Sequence, residues 1–473
     1  MTSSNDLLAL IRLGKLMTLG QQLRLTMLLS IPAIMAQLSS IVMQYIDAAM
    51  VGSLGANAAA SIGLISTTTW LFSGTCSAAA TGFSVQVAHA IGAGDMQKAR
   101  SILRQALVAV GVFGVLWGMV GMIISGFLPV WLGGDEAIRR DSSLYFLIYA
   151  SFLPVFQLYV LSSSMLRYSG NMRIPSMLSV LMCVLDVIFN FFLIFPSREV
   201  EWGGLAFWVP GAGWGVEGAA LGTGLAELVV AAILLWYLCT RSHDLKLVAE
   251  HGRFRPTRMT LKKAVRIGLP MGIEHAVICG AQIMTTVIVA PLGIFAIAAN
   301  SFGITAESLC YMPGYGIADA ATTLVGQSYG AGRKDLAKRF AYITVGMGMA
   351  VMGIMGVFMY VGAPLIIGTM TPDAEVLALG VEILRIEAFA EPMFAAAIVA
   401  YSVFVGMGNT IIPSLMNFCS IWAVRLTLAA WLAPVMGLKG VWLAMCLELC
   451  FRGFIFLSRL KWVFRKRSRY YSA

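Results

Sequence analysis

Two stretches of the chain repeat one pattern: "SVQVAHAIGAGDMQKAR" over residues 84–100 and "LVGQSYGAGRKDLAKR" over residues 324–339. The trio Gly92-Ala93-Gly94 returns as Gly330-Ala331-Gly332, at a spacing of 238 residues (330 − 92). Apolar composition alone does not produce matched prolines and glutamines at a single spacing, so we read the chain as two related halves. The same spacing relates further pairs: Pro32 and Pro270, Gln44 and Gln282, Leu54 and Leu292, Pro154 and Pro392, Asn171 and Asn409.

The composition predicts that these halves lie in a membrane. Hydrophobic residues make up 59% of the 473 residues and charged residues 12%. Soluble proteins are about half apolar and about a quarter charged. Residues 105–132 contain no charged residue, and such a run exceeds the ~20 residues that cross a bilayer. The net charge of +10 then indicates basic loops on one side of the membrane and not a nucleic-acid partner.

Apolar windows between charged, glycine, proline and asparagine residues predict twelve membrane spans. Loops at 92–104, 241–266, 330–339 and 460–473 are basic, and loops on the other side are neutral or acidic. By the positive-inside rule, both termini are expected in the cytoplasm of a cell membrane, the inner or plasma membrane. The predicted spans are 26–51, 57–84, 102–131, 142–166, 174–195, 214–240, 264–290, 295–326, 340–369, 376–406, 412–434 and 438–458.

Each half holds six spans, so the halves are parallel repeats, as in transporters whose substrate site lies between two halves. Late in each half the spacing falls to 222 residues (437 − 215), which places about 16 additional residues (238 − 222) near 196–213. The expected organisation is a cytoplasmic segment 1–25, an N-lobe 26–240, a cytoplasmic connector 241–263, a C-lobe 264–459 and a basic tail 460–473.

The remaining chemistry of the sequence argues against catalysis. The eight cysteines have no CxxC spacing, so we expect neither a disulfide framework nor a metal site. No nucleophile–base constellation stands out, and we predict that the protein is not an enzyme and needs no cofactor. The basic GAG loops lack the GxxxxGK[ST] pattern of a phosphate-binding loop.

Several segments together resemble the multidrug and toxic compound extrusion (MATE) family, with the DinF-like branch as the closest fit. They are the two GAG segments, "IDAAMVGSLG" over 46–55 and "VLDVIFNFFLIF" over 184–195. The resemblance implies an all-α polytopic membrane protein with twelve transmembrane helices in two parallel-repeat six-helix lobes around a central V-shaped cavity. It implies secondary active efflux of hydrophobic, often cationic, compounds in exchange for H⁺ or Na⁺. We expect small-molecule drugs or toxic organic cations and the lipid bilayer as partners, no nucleic acid, and a monomer.

Acids inside the predicted spans are candidates for ion coupling, because an ionised side chain in hydrocarbon costs about 2.5–3.5 kcal/mol or more. Asp47 and Asp186 resemble the acids of the family's N-lobe cation or proton site, and Thr223 resembles its threonine. The competing interpretation is a structural aspartate that pins two helices together. DinF-like members carry Asn where this chain has Met182, so Asn190 is the alternative member of the network, and the choice between H⁺ and Na⁺ stays open.

A second set of polar residues predicts a substrate or secondary cation site in the C-lobe. Glu274 and Glu307 lie on spans 7 and 8, and Glu387 and Glu391 precede Pro392 on span 10. Arg425 lies within span 11, and a buried arginine pairs with a carboxylate or with backbone carbonyls. We therefore expect Arg425 to pair with a C-lobe acid and to have a structural role. The competing interpretation of Glu274 is an interfacial glutamate.

Two other functions were weighed against drug efflux. A lipid-linked oligosaccharide flippase of the same superfamily needs a basic cavity for pyrophosphate, and Arg425 is the one clear base within a span. A receptor or channel fits poorly with a tandem repeat that carries acids in its spans. The antiporter therefore remains the preferred hypothesis.

Overall fold

The structure, a computed structural model, describes residues 3–248 and 250–469, apart from the side chains of 466–469. The described chain is almost entirely helical. The α-helices are α1 Ser4–Arg12, α2 Leu19–Gly52, α3 Ala56–Gly92, α4 Met96–Ile124, α5 Leu128–Trp131, α6 Glu136–Ser151, α7 Leu153–Tyr168, α8 Arg173–Ile194, α9 Gly215–Thr240, α10 Arg258–Val289, α11 Ile294–Gly330, α12 Lys334–Gly368, α13 Ala374–Ala388, α14 Glu391–Gly406, α15 Ile411–Cys419, α16 Thr427–Met436 and α17 Leu438–Arg469. A 3₁₀ turn Ala290–Leu292 follows α10, a π-helix Ser420–Leu426 joins α15 to α16, and two strands, β1 Pro196–Trp202 and β2 Leu205–Ala212, precede α9.

The predicted spans are present as helices. Among the described residues, nine spans are long and apolar enough to cross a membrane, and two bent pairs, α6 with α7 and α13 with α14, form two more. The twelfth predicted span is α3, which is long enough but rich in alanine, glycine, serine and threonine. Large apolar side chains such as Ile123, Val357 and Val361 face outward, as expected of surfaces that contact lipid.

Both bent spans break just before a proline. The bend is 49° between α6 and α7 and 56° between α13 and α14. Pro154 and Pro392 occupy the first turn of α7 and α14, where a proline lacks only an amide that the helix would leave unpaired. Because these prolines are repeat counterparts, both halves inherit the same break. The second break separates Glu387 from Glu391.

The additional residues of the first half form a β-hairpin. Strands β1 and β2 pair antiparallel, and Trp202 lies opposite Leu205 across the turn. Gly203 and Gly204 adopt positive φ values of 61° and 84°, a conformation that glycine tolerates without strain. In the second half, Gly437 alone separates α16 from α17. The sequence therefore located the insertion correctly near 196–213.

The contacts divide the chain into two compact units. The first unit comprises Ser39–Val87 and Met96–Val265, and the second comprises Met1–Leu38, Ala88–Asp95 and Arg266–Ala473. One apolar cluster of the first unit contains Ile65, Phe72 and Phe146. In the second unit, Trp442 packs among residues of α11, α13, α16 and α17. The sequence-based boundaries of the two lobes stay a prediction.

Within the second unit, the two copies of the repeated loop pack against each other. A Cβ atom on Gly92 would lie 2.0 Å from the backbone oxygen of Gln327, and one on Gly330 would lie 2.1 Å from that of His89. Residues 89 and 327 are themselves repeat counterparts, so the contact has the symmetry of the repeat. Only glycine permits backbones to approach so closely, and this contact explains why both loops begin with that residue.

Candidate functional site

In the first unit, four polar side chains from three helices form one network. Asn190 Nδ2 donates hydrogen bonds to Asp47 Oδ1 at 2.8 Å and to Asp186 Oδ2 at 3.2 Å. Thr223 Oγ1 donates to Asp186 Oδ1 at 2.7 Å. The network joins α2, α8 and α9 and brings Asp47, Asp186 and Thr223 together, while their role in ion coupling stays a prediction. Asn190 supplies the amide expected as the alternative to Met182.

The helical repeat of α8 explains why Asp186 and Asn190 lie side by side. Asp186 and Asn190 are four residues apart, and such residues share one face of a helix. Both are fully buried, whereas Asp47 is half-buried. A Cβ on Gly222 of α9 would meet Asn190 Oδ1 at 2.1 Å. The missing side chain at Gly222 therefore lets α9 approach closely enough for Thr223 to reach Asp186.

The analysis of the sequence missed a third acid in this region. Glu227 lies one turn after Thr223 on α9, is half-buried, and interacts electrostatically with Asp186. It has no hydrogen-bond or ion-pair partner within the part of the chain that the structure describes. The rule that singled out Asp47 and Asp186, an acid inside an apolar span, would also have found it.

In the second unit, three buried glutamates converge. Carboxylate oxygens of Glu307, Glu387 and Glu391 lie within 4.8 Å of one another. The four oxygens of Glu387 and Glu391 are buried and have no hydrogen-bond partner among the described residues. The Cys310 thiol interacts with Glu391, but a thiol is only a weak donor. Buried carboxylates without donors need protons or a cation to be stable, so this arrangement can hold either.

The proline break positions two of these three acids. Glu387 lies at the end of α13 and Glu391 at the start of α14, on either side of the 56° bend. A straight helix would stack them one turn apart on one face, whereas the bend turns both toward Glu307 on α11. The first turn of a helix also favours a negative side chain, which applies to Glu391.

Arg425 pairs with Glu448 on α17. Glu448 is not among the candidate acids named from the sequence. Arg425 donates to Glu448 Oε2 from Nε at 2.9 Å and from Nη2 at 2.6 Å. Arg452 donates to the same carboxylate at 3.1 Å, and Ser420 Oγ to its other oxygen at 2.5 Å. The Glu448 side chain has no exposed surface. The expected pairing of Arg425 with a C-lobe acid is thus confirmed.

Glu274 lies in a separate buried network of the second unit. Its carboxylate accepts hydrogen bonds from Tyr401 Oη, from Ser414 Oγ at 2.8 Å and from Asn417 Nδ2 at 2.5 Å. Glu274 is 7% exposed, and whether it lies at the membrane interface stays a prediction. Three donors are enough to stabilise an ionised carboxylate, whereas the oxygens of Glu387 and Glu391 have no hydrogen-bond partner among the described residues. Arg425 interacts with Glu307 and Glu387 only electrostatically.

Comparison with known proteins identifies the family. The sequence profile of the MatE family matches residues 32–192 and 270–431, one match in each half of the chain. The chain belongs to the MatE family. The two matched ranges begin at Pro32 and Pro270, which are repeat counterparts. The MatE assignment confirms the resemblance, while the DinF-like branch stays a prediction.

Curated MatE-type relatives align with nearly the whole chain. A probable multidrug resistance protein NorM of Thermotoga maritima is 26% identical over 441 residues, with 92% of each chain covered. The corresponding protein of Pseudomonas aeruginosa is 27% identical over 432 residues, with 89% of this chain and 85% of the relative covered. The match therefore includes both halves of the chain.

Solved structures show the MatE fold. A structure described as MATE in complex with MaL6 superposes with a TM-score of 0.88 at 17% identity, covering 99% of this chain and 100% of that one. A MOP superfamily transporter from Pyrococcus furiosus, described as having a binding pocket of reverse polarity, superposes with a TM-score of 0.87 at 17% identity. The match covers 98% of this chain and 99% of that one. The twelve-helix transporter fold is therefore shown.

Proposed function

We propose that the chain is a secondary active multidrug antiporter, which exports hydrophobic, often cationic, compounds in exchange for H⁺ or Na⁺ by alternating access. The network of Asp47, Asp186, Asn190 and Thr223 carries the proposal. Two aspartates held by one amide side chain can share a proton or Na⁺ and release it when the helices separate. The names of the curated relatives, which describe multidrug resistance proteins, support drugs as substrates.

Ion release at the two aspartates is coupled to movement of α2. Asp47 on α2 is held to α8 through Asn190, and an ion between the two aspartates would strengthen this contact. When the ion leaves, the two carboxylates repel each other, which favours movement of α2 away from α8. Pro32 lies inside α2, and a proline within a helix weakens the backbone hydrogen bonding around it. Movement at Pro32 thus couples ion release to the shape of the substrate pathway.

A direct test uses the purified protein in lipid vesicles. Efflux of a fluorescent organic cation is measured with a Na⁺ gradient alone, an H⁺ gradient alone, or neither. We expect transport with at least one gradient and none without. Transport that is equally fast without any gradient would contradict an antiporter and indicate a channel.

The polarity of the two sites disfavours the alternative of a lipid-linked oligosaccharide flippase. The first-unit network and the three-glutamate cluster are both acidic, and both arginines near Glu448 are already paired with it. A pyrophosphate would meet repulsion at each site. Competition of dye efflux by a lipid pyrophosphate, with no effect of organic cations, would favour the flippase.

We propose that Glu307, Glu387 and Glu391 form a secondary site for a cation, either the substrate or a second coupling ion. Glu387→Gln removes one charge but preserves size. One unit charge at about 4 Å contributes several kcal/mol at an intermediate dielectric constant, so we expect the half-maximal concentration of a cationic substrate to rise about tenfold or more. Efflux kinetics with a cationic dye and a neutral dye check this.

The matched control is Glu382→Gln, because Glu382 lies on the same helix, is half-exposed and pairs with Lys439 at 2.6 Å. Glu382→Gln should leave the kinetics unchanged. Equal kinetics for Glu387→Gln and wild type, with both dyes, would remove the cluster from the transport pathway.

The proposed location is the cell membrane, with the protein monomeric and both termini in the cytoplasm. A reporter at Ala331, in the second basic loop, and one at Ala473, which lies outside the described residues, should both be protected from an impermeant reagent added outside intact cells. A reporter at Gly203 in the hairpin should be labelled, because the hairpin follows span 5 on the opposite side. Labelling of Ala331 from outside would reject this topology.

A further inference from the structure

The second copy of the repeated loop lines a cavity that contains no residue of the sites described above. The cavity has a volume of about 710 Å³ and lies within the second unit. Four basic residues line it, with a single acid, Asp335. They are Arg333, Lys334, Lys338 and Arg339. A concave surface with this excess of positive charge favours an anionic ligand.

In the first copy of the loop, the basic side chains are paired with groups of the protein itself. Arg100 is ion-paired with Glu250 of the connector and donates to the Asp244 carbonyl at 3.1 Å. Arg104 donates to the Glu250 carbonyl at 3.0 Å. Lys338 is the repeat counterpart of Arg100. In the first copy, a carboxylate from the connector therefore balances the basic loop.

The second copy has no such carboxylate. Lys338 and Arg339 have no hydrogen-bond or ion-pair partner in the described chain. Arg333 donates to the backbone carbonyl of Leu10 at 3.0 Å, which satisfies a donor but brings no negative charge. Clustered lysine and arginine side chains are suited to the oxygens of a phosphate group. The charges of Lys338 and Arg339 are thus available for a ligand.

The opposite wall of the cavity is apolar and comes from the N-terminal segment. Helix α1 is capped by reciprocal hydrogen bonds between Ser3 and Asp6, which lower the pKa of Asp6, and its face of Leu7, Leu8 and Ile11 is buried. Leu16 and Met17 then line the cavity before α2 begins. Leu16 is 93% exposed, which is unfavourable in water and favourable where acyl chains can contact it.

The cavity lies at the loop between two membrane-spanning helices, where lipid headgroups are expected. Tyr329 and Phe464 line it, and Tyr342 packs against Phe464 with ring centroids 6.3 Å apart. Aromatic side chains are enriched where membrane spans end at the interface, and α11 and α12 are the spans that this loop connects. Basic residues beside an interfacial apolar surface are typical of sites for anionic lipids.

We propose that this cavity binds an anionic phospholipid. The phosphate lies against Lys338 and Arg339, and the acyl chains run along Leu16 and its exposed neighbours Leu13 and Leu19. A free phosphate ion can contact Lys338 and Arg339 in the same way, but it has no acyl chain to contact the leucines. The two sources of phosphate therefore differ in their dependence on Leu16.

Native mass spectrometry of the detergent-purified full chain tests the proposal. The probes are phosphatidylglycerol, phosphatidylcholine with the same acyl chains, and inorganic phosphate. The variants are the double change Lys338→Gln with Arg339→Gln, the single change Leu16→Gln, and a charge-matched control, Lys262→Gln with Lys263→Gln. Lys262 and Lys263 are exposed in α10 and are not among the residues that line the cavity.

We expect wild type and control to retain one phosphatidylglycerol in preference to phosphatidylcholine. Because each basic residue near a membrane surface contributes about 1 kcal/mol, or roughly fivefold, the Lys338/Arg339 double change should weaken retention by about tenfold or more. Leu16→Gln should weaken phosphatidylglycerol binding as well. Equal retention by the double variant and the control, equal binding of phosphatidylcholine, or displacement of the lipid by inorganic phosphate would overturn the proposal.

Discussion

Asp47→Asn and Asp186→Asn should each reduce ion-driven efflux to the level of vesicles without protein. Asparagine preserves the size of the side chain and part of its hydrogen bonding, but it cannot exchange a proton or hold Na⁺ by charge. Asn190 lies within hydrogen-bonding distance of both aspartates, so either substitution disables the same site. Dye efflux from vesicles of each purified variant, under the gradient that drives the wild type, is the measurement.

The double variant distinguishes one site from two. Substitutions within one network are not additive, so Asp47→Asn with Asp186→Asn should be no worse than either alone. Asp135→Asn serves as the control, because Asp135 is exposed at the start of α6 and its side chain makes no capping hydrogen bond. Wild-type efflux in Asp47→Asn, with unchanged ion dependence, would refute the assignment of this site.

Glu448→Gln is expected to be the most destabilising single substitution in the second unit. The change removes the carboxylate that Arg425 and Arg452 share and leaves them only their electrostatic interactions with Glu307 and Glu387; breaking a buried ion pair from one side costs about 3–5 kcal/mol. We expect a large fall in the temperature at which the detergent-solubilised protein aggregates, measured by size-exclusion chromatography after heating. Glu387→Gln should change that temperature little, because Glu387 has no hydrogen-bond partner among the described residues.

A triple variant separates the loss of a charge partner from the loss of packing. Replacing Glu448, Arg425 and Arg452 together by methionine removes all three charges, and apolar replacements of buried ion networks are often neutral for stability. The triple variant should therefore recover most of the stability lost in Glu448→Gln. If it is less stable than Glu448→Gln, the network contributes to stability by packing and not by charge balance.

Much of the fold could be read from local sequence. Uninterrupted apolar runs predicted the twelve spans because a bilayer requires about 20 apolar residues in helical form. The repeat spacing predicted the insertion near 196–213, which is the β-hairpin. The bend before Pro392 also has a local cause, since a proline disrupts the helix that precedes it. Each of these features follows from residue types and their spacing, without knowledge of tertiary contacts.

The candidate sites could be read only in part. A charge inside a span is costly wherever it lies, so the sequence pointed to Asp47, Asp186, Glu307, Glu387 and Glu391 without any knowledge of contacts. The same reasoning applied to Glu227, Glu448 and Arg452 would have found them too. All three lie within apolar helices, so the sequence carries their signal.

The amino-acid sequence by itself determined the membrane-spanning helices, their tandem repeat and the list of costly polar residues, because these follow from composition and spacing. Only the tertiary structure decided which polar residues meet. Asn190 bridges two aspartates that are 139 residues apart (186 − 47), and Arg425 selects Glu448 over the three nearby glutamates. Such choices depend on the angle and depth at which separate helices pack, and no local pattern along the chain encodes them.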